Sequence, residues 1–262
     1  MVELIDVTVV RNNREILSQV SLQIREGQRW VLVGPNGSGK TTLSKLLSLR
    51  EHPSSGVIHV FGLTFGKFDV RTVRTQIGFV SAAFADELRG DLTGRDIVMC
   101  ALHGALEPWW HSYTEEDRAL AERLLRERGL AHLIDAPFRT MSSGDRQRVL
   151  LTRTLMTSPK LLVVDEPFAG LDLAGREQLI AWFDSLPRDM AVVLVTHHLE
   201  EIPTSWTHAA VLAASTLRTA GALHEVLTSE IISSAFEIDV TVTQRRHRWF
   251  AEPCGGSPSA SN

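Results

Sequence analysis

The stretch Gly34-Pro35-Asn36-Gly37-Ser38-Gly39-Lys40-Thr41-Thr42 constrains this chain more than any other. It fits the pattern G-x-x-x-x-G-K-[ST]. Trp30-Val31-Leu32-Val33 precedes it and reads as a buried strand. Thr41 to Arg50 follows with helical spacing at Leu43, Leu46 and Leu47. A strand, a glycine loop and a helix in that order make a phosphate cradle. Glycines let successive backbone N–H groups turn inward around phosphate oxygens, where a Cβ would obstruct. Lys40 brings a mobile charge to the β- and γ-phosphates, and the Thr41 hydroxyl is placed to ligate Mg²⁺. The helix start adds its partial positive charge. A glycine-rich turn without a ligand is the alternative, and the flanking strand and helix speak against it.

Leu161-Leu162-Val163-Val164 ends in Asp165-Glu166. A buried strand therefore delivers two carboxylates to its C-terminal end, where open α/β sheets bind ligands. Asp165 is expected to hold Mg²⁺ through water, and Glu166 to act as general base on the attacking water. By itself such a strand end is often only a capped loop. Met141-Ser142-Ser143-Gly144-Asp145 opens a further helix, with Ser142 as N-cap and Asp145 three residues on as its capping partner. A capped helix start is also an anion site.

In that order, these elements resemble the nucleotide-binding subunit of an ATP-binding cassette (ABC) protein, over roughly residues 1 to 230. The marks are the phosphate loop Gly34 to Thr42, the signature Ser142-Ser143-Gly144-Asp145 and the strand ending Asp165-Glu166. Ala169-Gly170-Leu171-Asp172 matches the family's D-loop, and His197 in Val195-Thr196-His197 its switch histidine. Gly27 to Trp30 and Ile77 to Ala82 resemble the ATPase components grouped with molybdate-transport and photorepair proteins. The resemblance implies an α/β fold: a P-loop NTPase core of mixed sheet, an N-terminal antiparallel β-subdomain and an inserted helical subdomain. It implies ATP and Mg²⁺ as cofactors, with Gly34 to Thr42, Ser142, Ser143, Gly144 and Asp172 on the nucleotide. Asp165 and Thr41 would serve the metal, and Glu166 and His197 catalysis. One copy's loop faces another's signature in this family, so a homodimer or a heterodimer with a related subunit is implied. A separate integral-membrane permease for a small ion, oxyanion or metal complex is the implied partner, which puts the chain on the cytoplasmic face. A non-transport ABC ATPase acting on a protein, ribosome or DNA is the alternative.

Three positions depart from the family. Ala82 stands where a glutamine usually touches Mg²⁺ and faces the membrane partner; a methyl group cannot do a carboxamide's work. No aromatic precedes the first hairpin turn, so Arg11 is the candidate to lie on adenine; a solvated hairpin arginine is the other reading. The signature reads Met-Ser-Ser-Gly-Asp rather than Leu-Ser-Gly-Gly-Gln.

The rest bounds the answer. The 262 residues are 44% hydrophobic and 22% charged with a net charge of -4, so a globular chain is expected and nucleic acid is not an expected partner. Cys100 and Cys254 make no staple framework, and a reducing compartment is the default. The longest apolar runs are strand length, short of the roughly 20 residues a membrane helix needs. Residues 1–244 are expected as one ATP-binding domain, with a helical subdomain over about 84–158, and residues 245–262 as a disordered tail. Pro108-Trp109-Trp110-His111 is a docking patch or, slightly preferred, core packing before a helix capped by Thr114 and Asp117. Arg123, Arg126 and Arg128, and Arg245, Arg246 and Arg248, read as solvated faces.

Overall fold

The computed structural model describes residues 1–254. The chain opens with β1 (Val2–Arg11) and β2 (Arg14–Ile24), joined by Asn12 and Asn13 at φ 49 and 62. Asparagine tolerates that left-handed backbone, which gives a tight two-residue turn. There follow β3 (Arg29–Val33), α1 (Lys40–Leu47), β4 (Ser55–Val60), β5 (Leu63–Thr64), α2 (Val70–Arg74) and β6 (Ile77–Ser81). A helical stretch holds α3 (Gly94–Met99), α4 (Glu115–Glu127) and α5 (Ser143–Thr154). The alternating part resumes with β7 (Leu161–Asp165), α6 (Leu173–Asp184), β8 (Ala191–Val195), β9 (His208–Ala213) and β10 (Thr216–Ala222). Last come α7 (Leu223–Val226), α8 (Ser229–Phe236), β11 (Val240–Arg245) and β12 (Arg248–Pro253).

One sheet has the order β10-β9-β3-β8-β7-β6, and a second β2-β1-β4-β5. In the first, β9, β3, β8, β7 and β6 run parallel and β10 is antiparallel to β9. The second is antiparallel throughout. This is the mixed core and antiparallel N-terminal sheet that the sequence implied.

Strands β3, β7 and β8 are buried along their whole length. Their side chains therefore serve both faces of the sheet with period two. Val31, Val33, Leu162, Val164, Val192 and Leu194 join one core, shared with α3, α4, α5 and α6. Trp30, Leu32, Leu161, Val163, Val193 and Val195 join the other, shared with α1 and the antiparallel sheet. Leu43, Leu46 and Leu47 of α1 are completely buried there. Each such side chain contributes about 1.5–3 kcal/mol of burial. The packing fixes where α1 starts, and so where the phosphate loop sits.

The C-terminal expectation is corrected. Residues 245–253, expected to be disordered, belong to the hairpin of β11 and β12, in register from Val240–Pro253 to Arg245–Arg248. Arg248 pairs with Glu177 of α6 and donates to the Glu200 carbonyl at 3.3 Å, tying the hairpin to the body. Residues 255–262, the rest of that expected tail, lie outside the described residues. The Trp109 and Trp110 reading is also corrected. Trp110 is 83% exposed and Trp109 55%, with the Arg89 guanidinium 4.7 Å over the Trp109 ring. Thr114 and Asp117 do form a capping box at the start of α4. Among the described residues no helix is long and apolar enough to cross a membrane.

Candidate functional site

The phosphate loop connects β3 to α1 and is shaped by contacts only glycine permits. A Cβ on Gly34 would lie 2.1 Å from the Leu212 carbonyl oxygen of β9. Gly39 caps α1 at φ 102, and a Cβ there would lie 2.5 Å from Leu17 Cδ2 and 2.7 Å from the Ile16 carbonyl oxygen. The loop is thus pressed against both sheets. Lys40, 5% exposed, donates from Nζ to the carbonyls of Gly34 at 2.8 Å and Pro35 at 2.9 Å. Burial holds its ammonium below the usual lysine range, while Glu166 and Asp165 act against that shift.

A cavity of about 350 Å³ opens over this loop. Asn36, Gly37, Lys40, Thr41, Thr42 and Glu166 line one side, and Arg14, Glu15, Ile16 and Ser215 the other. Arg11 is not on that wall. Its guanidinium is ion-paired with Glu51 instead. The solvated-arginine reading fits better than the adenine-stacking one, and the hairpin offers Arg14 to the cavity. Sequence reasoning missed Arg14, Glu15 and Ser215. The two-residue turn at Asn12 and Asn13, which sets which hairpin residues follow, was the signal available for the first two.

Asp165 ends β7, 4% exposed. Its Oδ2 accepts from Ser44 Oγ at 3.0 Å, and its Oδ1 is buried with no hydrogen-bond partner. Burial raises its carboxyl above the usual range, against hydrogen bonds from Ser44 and Thr41 and the charge of Lys40 that lower it. Hydroxyl and carboxylate oxygens around an unsatisfied buried acceptor are the hard donor set that Mg²⁺ takes. Glu166 sits at φ 51, its N–H bonded to the Val195 carbonyl at 3.0 Å. Left-handed backbone at a non-glycine residue is strained. Here it turns the side chain toward the end of β8. Glu166 Oε1 lies 3.3 Å from His197 Nδ1.

The turn bearing His197 has its own brace, which sequence reasoning missed. The Thr196 hydroxyl donates to the Glu201 carboxylate and accepts from the His198 N–H at 3.1 Å. Glu201 is 4% exposed, and Arg176 Nε of α6 stands 3.9 Å from it. Burial raises the Glu201 carboxyl above the usual range, against the hydrogen bond from Thr196. A glutamate four residues past His197 was the available signal.

Ser142 caps α5, accepting from the Asp145 N–H at 3.1 Å and donating to Asp145 Oδ2 at 2.8 Å. Asp172 caps α6, accepting from the Gly175 N–H at 2.7 Å. These two helix starts adjoin: Ser143 Oγ donates to the Gly170 carbonyl at 3.4 Å. None of Ser142, Ser143, Gly144 and Asp172 lines the phosphate-loop cavity. The fold therefore gathers the loop, Asp165, Glu166 and His197 at one edge of the sheet. It sets the exposed start of α5 apart from them.

Comparison with known proteins agrees with this layout. Residues 17–169 match the family described as ABC transporter. The chain is 33% identical over 260 residues to an uncharacterized ABC transporter ATP-binding protein, YlmA, of Bacillus subtilis, covering 97% of this chain and 98% of that one. It is 30% identical over 203 residues to the ABC transporter ATP-binding protein ModF of Escherichia coli, covering 75% of this chain and 41% of ModF. Among solved structures it resembles a chain of a putative metal-chelate type ABC transporter in an inward-facing conformation. The TM-score is 0.78 at 23% identity, over 97% of both chains.

Proposed function

The chain belongs to the ABC transporter family as its ATP-binding, ATP-hydrolysing subunit, and we propose that it closes on ATP as a dimer to drive a separate membrane permease. The observation that carries this reading is the division of the site. The phosphate loop, Asp165, Glu166 and His197 converge, while the Ser142 helix start lines no part of the phosphate-loop cavity. A second copy, or a related subunit, would bring its own Ser142 helix start to the open side.

The roles follow from position. The loop amides and Lys40 bind and orient the phosphates of ATP. Glu166 takes a proton from the attacking water, and His197, within hydrogen-bond reach of it, steadies both Glu166 and the terminal phosphate. Thr41 and Asp165 would hold Mg²⁺, which when bound neutralises charge developing on the phosphate oxygens. The Ser142 hydroxyl and the Gly144 backbone N–H would meet the terminal phosphate of the opposite copy. ATP is then the adhesive between two copies, and hydrolysis releases it, giving the two states a switch requires.

The transported class, a small ion, oxyanion or metal complex, is part of the proposal. Ala82 at the start of the turn after β6 favours a second reading, a non-transport ATPase, because it lacks the family's carboxamide. One experiment separates the two. Tagged Glu166→Gln chain is purified with ATP from detergent-solubilised membranes of its native cell. A stoichiometric polytopic protein supports the permease; recovery from the soluble fraction alone supports the second reading.

A further inference from the structure

The turn Leu199–Glu201 stands directly behind His197 and is faced by cations from two elements. One element is α6. Arg176 Nε lies 3.9 Å from the Glu201 carboxylate, and its Nη1 4.0 Å from that of Glu200. The other is the C-terminal hairpin. Arg248 of β12 donates from Nη1 to the Glu200 carbonyl at 3.3 Å and to Glu177 Oε1 at 3.0 Å. Its Nη2 takes the second Glu177 oxygen. Arg176 and Glu177 are neighbours on α6, so the helix reaches this turn once directly and once through Arg248.

Arg248 is not the hairpin's only tie to the body. Val240 is buried, and Val242 and Trp249 pack against the same core. The Val240 N–H donates to Ser233 Oγ and the Val242 N–H to Ser229 Oγ, both at 2.9 Å, which pins β11 to α8. The Glu177 side chain is 49% exposed, and an ion pair so open to water adds little stability. What the pair supplies is direction. A planar guanidinium held by a carboxylate through two parallel hydrogen bonds keeps one orientation. Its Nη1 thereby fixes the Glu200 carbonyl, and with it the turn whose Glu201 carboxylate takes the Thr196 hydroxyl. Thr196 and the His198 N–H, joined at 3.1 Å, flank His197, whose ring stands 3.3 Å from Glu166.

We propose that Arg248 is a positioning residue for ATP hydrolysis, holding the turn behind His197 so that the ring keeps its place beside Glu166. The C-terminal hairpin is then part of the hydrolytic machinery. The inference rests on the roles proposed above for Glu166 and His197.

Steady-state ATP turnover of the full chain tests this in a double-mutant cycle. Arg248→Ala should lower kcat at least about tenfold, with KM for ATP and the thermal midpoint little changed. In the His197→Ala background the same change should cost less than about twofold, because the ring it positions is gone. Glu177→Ala, at an exposed helix position, releases the guanidinium without altering the hairpin. It should lower kcat in the same direction, again only while His197 is present, and it carries the test if Arg248→Ala does not fold. A wild-type kcat in both variants, a loss of equal size with and without the His197 ring, or a loss accompanied by a lower thermal midpoint and a raised KM overturns the proposal and leaves the roles of Glu166 and His197 standing. His197→Ala turning over ATP at the wild-type rate overturns the role of His197 and the proposal together.

Discussion

Glu166 Oε1 and His197 Nδ1 stand 3.3 Å apart, brought together because the Glu166 N–H is bonded to Val195 at the end of the neighbouring strand. The carboxylate and the ring are therefore held by the sheet itself and not by a loose loop. His197→Ala removes the ring and leaves the phosphate loop untouched. The expected result is a kcat lower by about 10²–10³ with little change in KM. Steady-state ATP turnover measures it.

The brace behind His197 gives a pH signature. Burial raises the Glu201 carboxyl in the folded chain, so the fold binds this proton more tightly than the unfolded chain does. That contribution to stability is fully present below the ordinary carboxylate range. It is lost as pH rises through the raised value. Glu201→Gln keeps an acceptor for Thr196 and has no charge to bury. Its stability relative to wild type should therefore rise between acidic and neutral pH, as denaturant midpoints at several pH values would report. A constant difference across pH would remove the buried carboxylate from the account.

Ser142 caps α5 within its own chain and, in the proposed dimer, receives a phosphate held by another. Ser142→Ala should cost about 1 kcal/mol in unfolding and also abolish ATP-driven dimers. Ser142→Asp restores a good cap but sets a carboxylate against a phosphate. It should recover the stability and not the dimer, in thermal melts and sizing chromatography respectively.

Gly39 is a packing position as much as a phosphate one. At φ 102, with Leu17 Cδ2 at 2.5 Å and the Ile16 carbonyl at 2.7 Å from a would-be Cβ, alanine must push β2 away from α1. Gly39→Ala should lose about 1–3 kcal/mol of stability and measurable ATP binding with it. Chemical unfolding and a nucleotide-binding titration would both show the loss.

How legible these features were follows from how local their causes are. The phosphate loop and the β7 carboxylates could be read because each is written in contiguous residues between a strand and its neighbour. Asn12-Asn13 marked its hairpin because asparagine accepts a left-handed backbone. The turns Ala214-Ser215 (φ 48, 63) and Arg246-His247 (φ 50, 64) take the same backbone without glycine, asparagine or aspartate. The last hairpin was consequently read as tail. Its anchor, Arg248 on Glu177, spans 71 positions and leaves no local trace. Arg11 misled for a related reason. Its partner Glu51 belongs to a different loop, so the pairing that turns it from the cavity appears only once the chain has folded. Trp109 and Trp110 were read toward the core because bulk and hydrophobicity favour burial, and sequence does not say that this segment lies outside the packed helices.

The central claim is that each site is completed by a second copy and emptied by Glu166. The most direct measurement is sizing chromatography of Glu166→Gln with ATP, with ADP and without nucleotide. The account predicts a dimer with ATP and a monomer in the other two runs. An elution volume that is the same in all three contradicts it.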